Sequence, residues 1–129
     1  LVWGVSRTAA SPPVAELWHC GAAVGAVPGP GPYRLAALDP PTGGVAATAW
    51  SACGTAAALA SPDGTVRVYR CCGGGGPAAG ALAGVFMSDS SPTCAAFDVP
   101  STAGGGPASL AVGCDDGTVH VLDVGGLGW

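Results

Sequence analysis

Two segments of this 129-residue chain are copies of one pattern. Ala56 to Arg70 reads AAALASPDGTVRVYR, and Leu110 to Asp123 reads LAVGCDDGTVHVLD. In register, Asp63-Gly64-Thr65-Val66 falls on Asp116-Gly117-Thr118-Val119, Val68 on Val121 and Tyr69 on Leu122. Each copy is an apolar run of small residues, a tight Asp-Gly turn and then strict alternation. That order predicts a β-hairpin whose second strand places Val66 and Val68, or Val119 and Val121, on one buried face. Glycine accepts the positive φ of a tight hairpin turn, and the preceding Asp can bond the local backbone. Both copies extend backwards, since Val45 to Trp50 (VAATAW) precedes the first as Pro92 to Phe97 (PTCAAF) precedes the second, each ending in an aromatic. Three antiparallel strands per unit follow.

An apolar strand ending in an aromatic, a turn, and a hairpin with Asp-Gly resembles the WD40 repeat. The resemblance implies an all-β fold of WD40-type β-propeller blades, with antiparallel sheets and with Asp63, Gly64, Asp116 and Gly117 as structural turn residues. It also names departures. Tyr69-Arg70 stands where the family has Trp-Asp, and Trp18-His19 occupies that place in the first unit. Pro41 and Ser88 stand where the family carries a turn histidine, so its buried His to Asp hydrogen-bond network is expected to be absent.

The rest of the chain divides around these copies. Residues 1–38 read as a partial blade without its innermost strand: Leu1 to Val5 matches Leu110 to Cys114 with Gly4 on Gly113, Val14 to Cys20 ends the repeat, and Tyr33 to Leu38 forms the outer strand. Residues 39–86 form a second blade with a Gly/Pro-rich loop at 72–80, and 87–129 a third with an expanded loop at 99–108 and an incomplete outer strand. Trp18, Tyr69 and Leu122 recur at intervals of 51 and 53 residues. A WD40 repeat runs ~40–45, and the Gly/Pro loops account for the excess. Because a propeller needs at least about four blades, the sequence predicts an incomplete propeller fragment whose remainder comes from the same polypeptide.

Composition excludes several functions. Four Arg and no Lys against eight acids give a net charge of −4, which offers no footprint for a phosphate backbone, so no direct nucleic-acid partner is expected. Pro and Gly break every apolar run well short of the ~20 residues of a membrane span, so no membrane insertion is expected. The six cysteines sit singly or as the adjacent pair Cys71-Cys72, and read as buried, reduced thiols of an intracellular, cytoplasmic protein. His19 and His120 have no second ligand at metal-site spacing, and Gly73 to Gly76 is followed by no Lys, so neither a metal nor a cofactor is expected. Ser61 and Ser101 lack a nucleophile-elbow context.

What remains is a non-catalytic scaffold segment that mediates protein–protein contacts within a larger complex. Its candidate partner-contact rim holds Asp63, Asp115 and Asp116 beside Ser6 to Pro13, with a second rim at Gly73 to Gly80 and Val99 to Pro107. The family resemblance implies ciliary or microtubule-associated cytoskeletal assemblies among the settings. Two other readings stand beside it. One is a propeller enzyme whose site is completed by further blades, although Val45 to Trp50 and Thr93 to Asp98, the expected channel-lining strands, carry no histidine. The other is a peptide- or lipid-binding adaptor, for which Arg67 and Arg70 fall on opposite strand faces.

Overall fold

The computed structural model describes the backbone of residues 2–6, 14–19 and 33–38, and residues 44–71, 80–100 and 105–127 in full. The Gly/Pro stretch at 21–32, most of the loop at 72–80, residues 101–104 and the thiols Cys20 and Cys72 lie outside the described residues. Two compact units are present, Leu1–Pro40 and Pro41–Trp129.

The first unit is one antiparallel sheet of β1 (Val2–Ser6), β2 (Val14–His19) and β3 (Tyr33–Leu38), in that order. The second unit contains two sheets. One has the order β4 (Ala47–Trp50), β5 (Ala56–Ala60), β6 (Thr65–Arg70), β7 (Ala81–Met87). The other contains β8 (Pro92–Phe97), β9 (Ser109–Cys114) and β10 (Val119–Asp123), with β9 in the middle. All neighbours are antiparallel, so each sheet is a meander of consecutive strands. A short 3-10 turn at Gly125–Leu127 follows β10, where no regular element was expected.

Both predicted hairpins form, with the same turn. The Gly64 amide donates to Ser61 O at 3.1 Å and the Ser61 amide to Thr65 O at 2.8 Å; Gly117 to Cys114 O (3.2 Å) and Cys114 to Thr118 O (2.9 Å) repeat the pattern. This is a three-residue loop closed by a glycine in the left-handed region, at φ 94° for Gly64 and 85° for Gly117. Pro62 suits the first because proline presets φ at the second position of such a turn.

The two sheets of the second unit pack face to face. From one side come Ala49, Ala58, Ala60, Val66 and Val68, and from the other Leu110, Val112 and Cys114, with Val124 closing the cluster. Phe86, Phe97, Leu122 and Leu127 pack at its margins. Alanine on β5 keeps the surface flat, and each fully buried Val or Leu contributes roughly 1.5–3 kcal/mol. All five residues of β5 are fully buried.

One sequence expectation fails. Val66 and Val68 are 2% and 0% exposed, but Val119 and Val121 are 67% and 72% exposed. The alternation correctly places both valines of β10 on one face. In β6 that face lies against the third sheet, whereas in β10 no described residue lies over it.

The thiols also depart from expectation. Cys71 and Cys114 are buried, but Cys53 and Cys94 are exposed, and none of the four forms a disulfide. Cys53 lies in the turn between β4 and β5, and Cys94 shares the open face with Val119 through their common partner Gly113.

Candidate functional site

The segment from Ser88 to Ser91, which leads from β7 into β8, ties the two Asp-Gly turns to one rim. Ser88 N donates to Gly64 O at 2.8 Å, and Ser91 Oγ to Pro62 O at 2.8 Å, both in the first turn. Asp115 N in the second turn donates to Ser91 O at 3.0 Å. The predicted rim residues Asp63, Asp115 and Asp116 are therefore held on adjacent turns at the same end of the unit, and all three are exposed. Asp89, also exposed, lies in the segment that joins them.

The two aspartates before glycine do the same local work. Asp63 Oδ1 accepts from Thr65 N at 2.9 Å and from Thr65 Oγ1 at 2.6 Å. Asp116 Oδ1 accepts from Thr118 N and Oγ1 at the same two distances. The second oxygen of Asp116 accepts from Ser90 Oγ. A serine on the connecting segment thus bonds the turn carboxylate from the preceding blade connection. The donor to this turn carboxylate from the connecting segment is a hydroxyl.

These bonds favour the charged carboxylate. The Ser90 hydroxyl, followed by the Thr118 hydroxyl and amide, holds Asp116 down at about 2 from the ordinary 3.8. A folded-state value below the unfolded one means that the bonds stabilise the fold above the unfolded pKa of ~3.9 and lose that contribution as pH falls toward 2. Ser90→Ala is expected to move the Asp116 midpoint upward toward 3.8, as read from its carboxyl carbon in an NMR pH titration. An unmoved midpoint would show that Ser90 does not bond the carboxylate in solution.

A second polar chain runs beside this one. His120 Nε2 lies 3.2 Å from Ser88 Oγ, which lies 3.7 Å from the buried Cys114 Sγ. Ser88 and His120 form the polar end of an apolar groove between the sheets, lined by Val66, Phe86, Met87, Val112 and Leu122. Among the described residues no carboxylate hydrogen-bonds His120, and no three His, Cys, Asp or Glu side chains are grouped to hold a metal ion.

At the other end of the second sheet, Ser51 Oγ accepts from Ala56 N at 2.9 Å and lies 3.5 Å from Cys53 Sγ, which is 2.9 Å from Thr55 Oγ1. Hydrogen bonds from Ser51, then Thr55, hold the Cys53 thiol below its ordinary range. Residues of the second predicted rim at 72–79 and 101–104 lie outside the described set, as does the loop at 7–13.

The serines and His120 were not singled out by sequence as rim residues. Ser90 and Asp116 are 26 positions apart, Ser88 and His120 are 32 apart, and only the packing of one sheet on the next brings them together.

No family model matches this sequence, and no curated protein matches it. Among solved structures, the crystal structure of BamB from Moraxella catarrhalis superposes with a TM-score of 0.51 and 16% sequence identity, over 73% of this chain and 24% of the BamB chain. BamB is a β-propeller, and at this identity the likeness shows the fold alone. Consecutive antiparallel meanders packed face to face, with hairpin turns repeated on one rim, are accordingly propeller blades, and the chain spans about a quarter of the length of the propeller it matches.

Proposed function

We propose that this chain is a non-catalytic segment of a WD40-type propeller, and that it presents an acidic rim to a basic segment of a partner protein. The observation that carries the reading is the rim itself. Two turns of identical geometry and one connecting segment are hydrogen-bonded into a single edge, so Asp63, Asp89, Asp115 and Asp116 are offered on rigid backbone. Fixed carboxylates of one sign attract a partner of the opposite sign and fix its register more than they add raw affinity. A net charge of −4 acts in the same direction. The WD40 assignment and a cytoskeletal or ciliary assembly rest on the sequence resemblance, and an intracellular location rests on reading the cysteines as reduced thiols.

Cross-linking the native complex tests the proposal. The linker must react with carboxylates, because the chain has no lysine for amine chemistry. Links from Asp89 and Asp115 to a basic segment of another protein are expected. Asp89→Asn with Asp115→Asn is expected to weaken that association about tenfold at low salt, with thermal stability unchanged, since the turn bonds belong to Asp63 and Asp116. Undiminished association of the double variant would remove the rim from the account.

A further inference from the structure

The second sheet ends at β7 and the third at β10, and the apolar groove lies between these two outermost strands. The buried side chains of Val66 and Val112 form its floor. Phe86 on one wall pairs with Val66, and His120 on the other pairs with Val112, so each side is built from a buried residue and its cross-strand neighbour. The lip is Met87, the only methionine of the chain, which is 82% exposed. An unbranched thioether adapts to the shape of what it touches, and methionine recurs on surfaces that accept partner side chains. The groove holds about 250 Å³, its open mouth included. That volume falls below the ~300–1,000 Å³ of a small-molecule site, and it admits one large side chain.

The polar end of the groove is part of the rim. Ser88 opens the segment that ties the two Asp-Gly turns together, Asp89 follows it, and Ser90 bonds Asp116. Ser88 Oγ and His120 Nε2, 3.2 Å apart, stand at this end with donor and acceptor capacity for a peptide backbone. No Arg or Lys occurs in residues 61–65, 88–91 or 114–118, so the charge of the rim aspartates is not offset within its own segments. Groove and carboxylates are thus one continuous surface, apolar on one side and anionic on the other.

We propose that the groove takes one large aliphatic side chain, leucine in type, from the same basic segment that the acidic rim receives. An extended chain advances about 3.3 Å per residue, and Ser88 and Ser90 are two positions apart, so the apolar anchor lies within about three residues of an Arg or Lys of the partner. This inference rests on the rim reading and deepens it by naming the chemistry of the partner. Charge brings the segment to the rim and sets its register, while burial of the anchor against Val66, Phe86 and Val112 supplies affinity.

The test titrates the full chain 1–129, isotope-labelled at the methionine methyl, with three acetylated peptide amides at low salt: Arg-Arg-Gly-Leu, Arg-Arg-Gly-Gly and Gly-Gly-Gly-Leu. With one methionine the spectrum holds a single methyl peak, at the lip of the groove. Arg-Arg-Gly-Leu is expected to shift that peak and to bind about tenfold tighter than either of the others. Met87→Gln, followed through the amide peaks of Asp89 and Ser90, is expected to cut the advantage of leucine to about twofold or less. Its thermal midpoint is expected to stay where it was, because the Met87 side chain is exposed. Equal affinity of the two arginine peptides, an unmoved Met87 methyl, or a full leucine advantage in Met87→Gln overturns the groove and leaves the rim reading standing. Equal affinity of the two leucine peptides separates the groove from the rim and also overturns the inference. Failure of both arginine peptides to bind removes the rim reading, and this inference with it.

Discussion

Gly64→Ala is expected to destabilise the second unit by about 3 kcal/mol, against about 1 kcal/mol for Gly117→Ala at the same position of the second turn. Both glycines adopt positive φ, so both substitutions meet the cost of a left-handed alanine, roughly 1–2 kcal/mol. Only Gly64 is crowded. A Cβ there would lie 2.3 Å from Ser88 O and 3.4 Å from Ser88 C, both backbone atoms that no rotamer change can move aside. At Gly117 an added Cβ would meet nothing within 4 Å. Relief at Gly64 requires the connecting segment to move away, which breaks the 2.8 Å bond from Ser88 N to Gly64 O and loosens the rim. Urea titrations of the two variants give the comparison, and equal losses would show that the segment does not press on the first turn.

The second large effect is expected at Leu110, which is fully buried where the third sheet meets the second. Leu110→Ala is expected to cost about 3 kcal/mol, because the transfer energy of the lost methyls is joined by a cavity between two sheets that cannot readily close on each other. Val121→Ala, on the opposite face of the same sheet, is expected to change stability by less than about 0.5 kcal/mol. Denaturant unfolding of the pair measures the contrast. A small effect at Leu110 would mean that the two sheets do not share a core.

The sequence made the strands legible because local chemistry dictates them. Asp-Gly followed by Thr-Val-X-Val places a turn and then a period of two, and both hairpins form where that pattern falls. The strands ending at Trp50 and Phe97 were recoverable because the repeat supplied a second example of each. Alternation could not say what covers a face. It grouped Val119 with Val121 correctly, yet their exposure depends on the presence of another sheet, which no residue of β10 encodes.

The rim was legible only in part. Asp63 and Asp116 announce themselves because each bonds a threonine two residues away. Ser88, Ser90 and Ser91 carry no comparable signal, since a run of small polar residues between strands reads as a loop and their partners are remote in sequence. Ser88 stands where the WD40 repeat, which the sequence resembles, carries a histidine. The hydroxyl that reaches Asp116 belongs to Ser90, two residues further on. Thiol exposure departs from the sequence expectation for a related reason: cysteine behaves as a small hydrophobe on average, but Cys53 lies in a turn and Cys94 on the open face.

The most direct test of the propeller architecture is a methyl-resolved NOESY spectrum of the 129-residue chain with labelled Val and Leu. Cross-peaks are predicted from Val66 and Val68 to Leu110 and Val112 across the interface between the sheets, with none from Val119 or Val121 to those four residues. Val119 and Val121 methyls in contact with Leu110 and Val112, and Val66 and Val68 without such contacts, would contradict the packing on which every functional inference here depends.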